Sequence, residues 1–150
     1  MNGFRDLYQE MILDHNHSPR NRRKMETADR SADGHNPLCG DRVTVYLQMD
    51  GDTIKDVSFE GSGCAISTAS ASLMTQALIG KNVAEAKEVF HKFHRLVTGE
   101  SNPEDAMAEL GKLAVFSGVS EYPARVKCAT LAWHTASEAL EGQSSTVSTE

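Results

Sequence analysis

Residues 42–49 alternate strictly. Val43, Val45, Leu47 and Met49 fall on one side of an extended chain, and Thr44, Tyr46 and Gln48 on the other. A period of two is the signature of a strand with one buried face. Asp50-Gly51 follows at once, a pair that favours the tight turns joining antiparallel strands. The chain then returns through residues 53–60, with Ile54, Val57 and Phe59 apolar. The step from Ile54 to Val57 breaks the alternation, which predicts a bulge near Lys55-Asp56. A two-stranded hairpin is marginal in water, so its apolar face must be covered by the rest of the chain.

The remainder reads mainly as helix. Residues 4–15 place Leu7, Met11 and Asp14 near one face, with Tyr8 and Ile12 beside them, and Ser18-Pro19 ends the run. Residues 22–36 are polar and irregular, with room for a short edge strand. Residues 65–79 carry Ile66, Ala69, Leu73, Ala77 and Leu78 on one face, and Gly80 stops them. Asn82 suits an N-cap for a helix to residue 97, with Val83, Ala86, Val89, Phe90 and Phe93 inward. Pro103 fits the first turn of a short helix to residue 112. An apolar stretch, 113–119, precedes Tyr122-Pro123, which predicts extended chain and a last helix over 126–140. Residues 142–150 are rich in Ser and Thr and are expected to be a flexible tail. A small antiparallel sheet of about three strands packed against about five helices is an α+β fold, read here as one domain over 1–150.

The 150 residues suffice for a core, and 39% hydrophobic with 24% charged is a soluble balance. No apolar run approaches the roughly 18 residues of a membrane span. The opening Met1-Asn2-Gly3-Phe4-Arg5-Asp6 lacks a signal-peptide layout, which points to the cytoplasm. A net charge of −6 disfavours nucleic acid as a partner. The short basic run Arg20, Arg22, Arg23 and Lys24 reads as a solvated loop or a protein-docking patch.

Three cysteines, Cys39, Cys64 and Cys128, are the chain's only thiols. Cys39 lies in the turn Asn36-Pro37-Leu38-Cys39-Gly40-Asp41. Cys64 follows Gly61-Ser62-Gly63 and opens a helix, where unpaired N–H groups and the dipole favour a thiolate. Cys128 is read as opening the last helix, with Arg125 and Lys127 adding positive charge. An odd count in a reducing compartment argues against a disulfide framework. Two readings stand: three separate buried cysteines, or one shared site with Asp41 as a fourth ligand. Converging thiolates would need a cation, and both zinc and an iron–sulfur cluster accept such donors. His134 is about 240° round the helix from Cys128 and cannot join it on one metal. His91 and His94 are one turn apart, but on a helix without cysteines. His35 lies beside the Cys39 turn, and His15 and His17 are read as flanking a helix end.

The segments Asn36–Asp41, Gly61-Ser62-Gly63-Cys64-Ala65-Ile66-Ser67 and Val126-Lys127-Cys128 resemble the three cysteine motifs of the IscU/NifU iron–sulfur scaffold family. Leu7-Tyr8, Asp14-His15 and Pro19-Arg20-Asn21 are similar to that family's opening segment, and the resemblance covers roughly residues 4–141. Scaffold-type members carry His directly before the third cysteine. Here Lys127 stands there, and residues 99–120 are additional, which resembles the SUF-type branch. That resemblance implies a zinc site of Cys39, Asp41, Cys64 and Cys128, and a cysteine desulfurase, SufS, passing persulfide sulfur to Cys39. It implies onward delivery to apo iron–sulfur proteins or a SUF scaffold complex, and a supporting role for Arg125. The alternative it leaves open is a scaffold that builds a [2Fe–2S] or [4Fe–4S] cluster.

Overall fold

The computed structural model describes residues 3–37, 40–101, 103–141 and 146–148, without the side chains of residues 3–8, 103, 106, 107, 109 and 146–148. In chain order, helix α1 (Gly3–His17) leads to strands β1 (Arg30–Asn36), β2 (Asp41–Asp50) and β3 (Thr53–Ser62). Helices α2 (Ala65–Leu78), α3 (Val83–Val97) and α4 (Pro103–Leu110) follow, then a 3₁₀ segment (Gly111–Glu121) and helix α5 (Pro123–Leu140). Strand β4 (Thr146–Ser148) closes the order β3-β2-β1-β4.

The hairpin forms as the alternation requires. Val43, Val45 and Leu47 are buried, and Gln48↔Asp56 followed by Met49↔Ile54 leaves Lys55 as the extra, bulged residue. Gly51 takes the turn's positive φ of 65°. The outer edge of β3 is covered by the segment after α1: the Phe59 N–H donates to the Asn21 carbonyl at 3.0 Å. Asn21 adopts φ 60°, a left-handed value that asparagine tolerates better than most residues. Covering an edge this way removes a template for unwanted pairing.

Strand β1 fills the end of the stretch expected to be irregular over 22–36, and it lies inside the sheet rather than at an edge. It pairs antiparallel with β2 along its whole length and parallel with β4. Its inward positions are Ala32, Gly34 and Asn36, which carry almost no hydrophobic signal. A Cβ at Gly34 would lie 2.0 Å from Thr135 Oγ1 and 3.1 Å from Leu131 Cδ1, so α5 sits directly on the strand's backbone there. Part of the expected flexible tail, Thr146–Ser148, is β4, a pairing made by backbone groups that needs no apolar pattern.

Helices α2 and α5 pack together beneath the sheet, with α3 and the 3₁₀ segment beyond. Asn82 caps α3 as expected: its side chain accepts from Glu85 N–H and the Glu85 carboxylate accepts in return, an arrangement that contributes about 1 kcal/mol. Phe93 stacks on Trp133 at 4.2 Å, while Trp133 Nε1 donates to Ser70 Oγ, tying α5 to α2. The stretch 113–119 is buried as 3₁₀ turns rather than as a separate element. Among the described residues no helix is long and apolar enough to cross a membrane.

The last helix starts at Pro123, earlier than the expected residue 126. Tyr122 is extended (φ −128°, ψ 90°), as a residue before proline prefers, and Pro123 occupies the first helical turn, where its missing N–H costs nothing. The basic run lies at the surface, as expected of a solvated loop: Arg22, Arg23 and Lys24 are exposed, and the arginines also make surface contacts. Arg20 pairs with Asp14 at 2.7 Å, Arg23 with Asp56 at 2.5 Å, and Arg22 donates to the Gly61 carbonyl at 2.7 Å. His15 and His17 lie in the last turn of α1, at the helix end as expected, and His15 is buried there with Nδ1 2.7 Å from Ser72 Oγ.

Candidate metal centre

Asp41 is the first residue of β2, paired with Asn36 across a turn that the Gly40 N–H closes onto the Asn36 carbonyl at 2.8 Å. The pairing turns the Asp41 side chain inward, to 2% exposure. One oxygen, Oδ1, accepts the Cys64 N–H at 3.0 Å, and Oδ2 lies 3.9 Å from Cys64 Sγ. One carboxylate thus fixes the start of α2 and faces the Cys64 thiol.

Cys64 is the N-cap of α2, and its sulfur accepts the Ser67 N–H at 3.4 Å. A helix N-terminus aimed at sulfur favours negative charge on it. The glycines before it serve sterically distinct ends. A Cβ at Gly61, whose φ is 147°, would lie 2.1 Å from the Arg42 carbonyl oxygen. At Gly63 it would lie 2.8 Å from Asp41 Oδ1 and 3.1 Å from its Cγ. Gly63 is therefore the residue that lets the carboxylate approach the helix start.

Cys128 does not open a helix. Because α5 begins at Pro123, Cys128 falls in the second turn, away from the unpaired N–H groups, and it is buried. Asp41, Cys64 and Cys128 each offer one ligand atom, and these atoms all lie within 4.8 Å of one another. Tetrahedral zinc with sulfur at 2.3 Å holds its donors about 3.8 Å apart, so this donor set needs only a small inward movement. Thiolates with one carboxylate also suit the chemistry of a borderline-soft cation. Cys39 lies outside the described residues. His134 and His35 do not join the group among the described residues. Cys64 is exposed, so the cluster opens to solvent on that side while Asp41 and Cys128 form its buried floor.

Arg125 is exposed, with its guanidinium 4.7 Å from the centroid of the half-exposed Tyr122 ring, a cation–π contact. Gly63 as a spacer and Ser67 as an N–H donor to sulfur were the residues that sequence reasoning did not single out. The Gly-Ser-Gly run before Cys64 was their only signal.

Residues 7–129 match the NifU-like N-terminal domain family. The chain belongs to that family. It is 42% identical over 127 residues to the zinc-dependent sulfurtransferase SufU of Bacillus subtilis, covering 85% of this chain and 84% of that one. It is 39% identical over 135 residues to the iron–sulfur cluster assembly scaffold protein IscU of Streptococcus pyogenes, covering 90% and 83%. A SUF-system scaffold candidate from Fervidobacterium islandicum AW-1 superposes with a TM-score of 0.81 at 41% identity, covering 90% of this chain and 97% of that one. The α+β architecture and the resemblance to the SUF-type branch are both borne out by these relatives.

Proposed function

We propose that this protein serves iron–sulfur cluster assembly in the cytoplasm as a zinc-dependent acceptor of persulfide sulfur. The reading takes 1–150 as one functional unit. Cys39, Asp41, Cys64 and Cys128 hold zinc, Cys39 is the acceptor thiol, and the donor is a cysteine desulfurase of the SufS kind. The observation that carries it is the meeting of Asp41, Cys64 and Cys128 within 4.8 Å, with Asp41 two residues along the chain from Cys39. The SufU relative's name supports the same chemistry.

Bound zinc would keep the thiols ionised and ordered and protect them from oxidation. The Cys39 thiolate attacks the outer sulfur of the desulfurase persulfide. The donor's S–S bond breaks, its electron pair leaves on the desulfurase thiolate, and a new S–S bond forms on Cys39. Asp41 holds the first turn of α2 in place through the Cys64 N–H while this happens. Arg125, presented with Tyr122 at the surface, supplies a cation for holding the partner. The sulfur then passes to apo iron–sulfur proteins or to a SUF scaffold complex.

The test is turnover with SufS and cysteine. The wild-type chain should raise desulfurase turnover and carry the sulfur on Cys39, and Cys39→Ala should abolish uptake. Full-rate persulfide uptake by Cys39→Ala overturns the assignment. A second reading, a scaffold that builds and transfers a [2Fe–2S] or [4Fe–4S] cluster, is favoured by the IscU relative. It requires a coloured cluster on anaerobic reconstitution that passes intact to an apo-ferredoxin.

A further inference from the structure

Helices α3 and α5 run side by side with a groove of about 360 Å³ between them. Its floor is aromatic: Phe90 meets Trp133 edge-on at 5.8 Å, and Phe93 stacks on the same indole. Its rim carries imidazoles from both helices. His94 of α3 and His134 of α5 face each other with ring centroids 6.1 Å apart and planes at 65°. His91, one turn before His94, lines the same groove, as do Lys87 and Glu141. Both members of the pair are solvent-exposed, so an ion can reach them.

We infer that His94 and His134 form a second metal site, distinct from the thiol cluster, that takes a divalent late transition ion such as Zn²⁺ or Ni²⁺. A metal–nitrogen distance of about 2.0–2.1 Å places the centroids of two imidazoles on one ion roughly 5–6.5 Å apart, which spans the observed separation. Neutral imidazole is the ligand these ions prefer among non-sulfur donors. Although its edge reaches solvent, the His134 ring is partly desolvated against the groove; this, and then the neighbouring His94, holds its pKa below the usual imidazole value, so the nitrogen lone pair is available at neutral pH. Helix geometry keeps the two sites apart, since His134 is about 240° round α5 from Cys128. The donor sets separate them too: imidazoles here, thiols and a carboxylate there. An apolar floor beneath the two-histidine rim limits solvent access from the protein side. Water completes the shell around the two imidazoles. An ion held by His94 and His134 would staple α3 to α5 across the groove.

Trp133 is the chain's one tryptophan and forms part of the groove floor, so its fluorescence reports on this site. The experiment titrates Ni²⁺ into the purified full chain, its thiol cluster first saturated with Zn²⁺ and excess removed. Fluorescence and calorimetry follow the titration, and elemental analysis of the filtered product follows both. The expected result is one Ni²⁺ retained beside zinc, with quenching of Trp133. His94→Gln and His134→Gln should each weaken binding by at least about tenfold, a loss typical even of outer-shell partners, and the double variant should abolish the quenching. Three outcomes overturn the inference: no Ni²⁺ retained, retention unchanged in the double variant, or retention without any change at Trp133.

Discussion

Helix α2 carries two polar clusters on the face it turns to the protein, and they are built on opposite terms. At its start, Asp41, Cys64 and Cys128 turn a carboxylate and two ionisable thiols toward one another. Two turns further on, Ser72 and Thr75 join a network in which donors and acceptors alternate. Ser72 Oγ takes the Arg20 N–H at 2.8 Å and meets His15 Nδ1 at 2.7 Å, while Thr75 Oγ1 takes the Asn21 amide at 2.9 Å and donates to the Ser72 carbonyl. Polar atoms in a protein interior are ordinarily matched in this second way. A carboxylate with two thiolates is stable there only when something positive completes it. The contrast marks the first cluster as a place for a ligand and the second as a seam that fixes α1 and its following segment to α2.

The largest test of that contrast is Gly63→Ala. Its Cβ would press on the Asp41 carboxylate, so zinc affinity should fall by about ten- to a hundredfold, as for a lost orienting contact, while the thermal midpoint changes little. Competition with a chromophoric chelator measures the first quantity. An unchanged affinity would mean that Asp41 does not contribute to the cluster's grip.

Ser72→Ala should do the reverse. It strands the Arg20 N–H and the buried His15 ring, costing about 1–3 kcal/mol, with zinc affinity unaltered. Denaturant unfolding of the metal-loaded protein measures this, and a loss confined to metal affinity would merge the two clusters into one.

The smallest effect concerns pH. Burial, and next the charge of Arg20, lower the His15 pKa. A histidine depressed in the folded state contributes stability that is fully present above its unfolded value near 6.5 and is lost as pH falls below that value. Between pH 7.5 and 5.5 the wild type should therefore lose more stability than His15→Gln, with unfolding midpoints of the two compared at each pH. Equal losses would show that protonating His15 does not loosen the seam.

Elements that announce themselves through side chains were legible in the sequence. The alternation of Val43, Val45 and Leu47, the bulge at Lys55 and the Asn82 cap all appear where residue chemistry dictates. The features that escaped are those where the side chain is small or irrelevant. Strand β1 turns Ala32, Gly34 and Asn36 inward because α5 leaves no space for more, so its pattern is silent. Strand β4 is held by backbone pairing, and the 3₁₀ segment buries consecutive residues without a helical period. At the candidate centre, residue types pointed to Asp41, Cys64 and Cys128, but the start of α5 was misplaced because Pro123 was read only as a breaker. The burial of His15 was silent for a related reason: a lone histidine gives no sign that a serine 57 residues away will meet it.

Gly34 has a reach beyond its own strand. The missing Cβ sets how closely Thr135 and Leu131 approach the sheet, and Cys128 rides on the same rigid helix about two turns earlier. The glycine works as a shim of zero thickness. A methyl group there would tilt or lift α5, and the lever of the helix would carry that displacement to the far end, opening the bite between Cys128 and Asp41. The tolerance of a sulfur-and-carboxylate cluster is in this way written partly into a strand residue that touches none of its members.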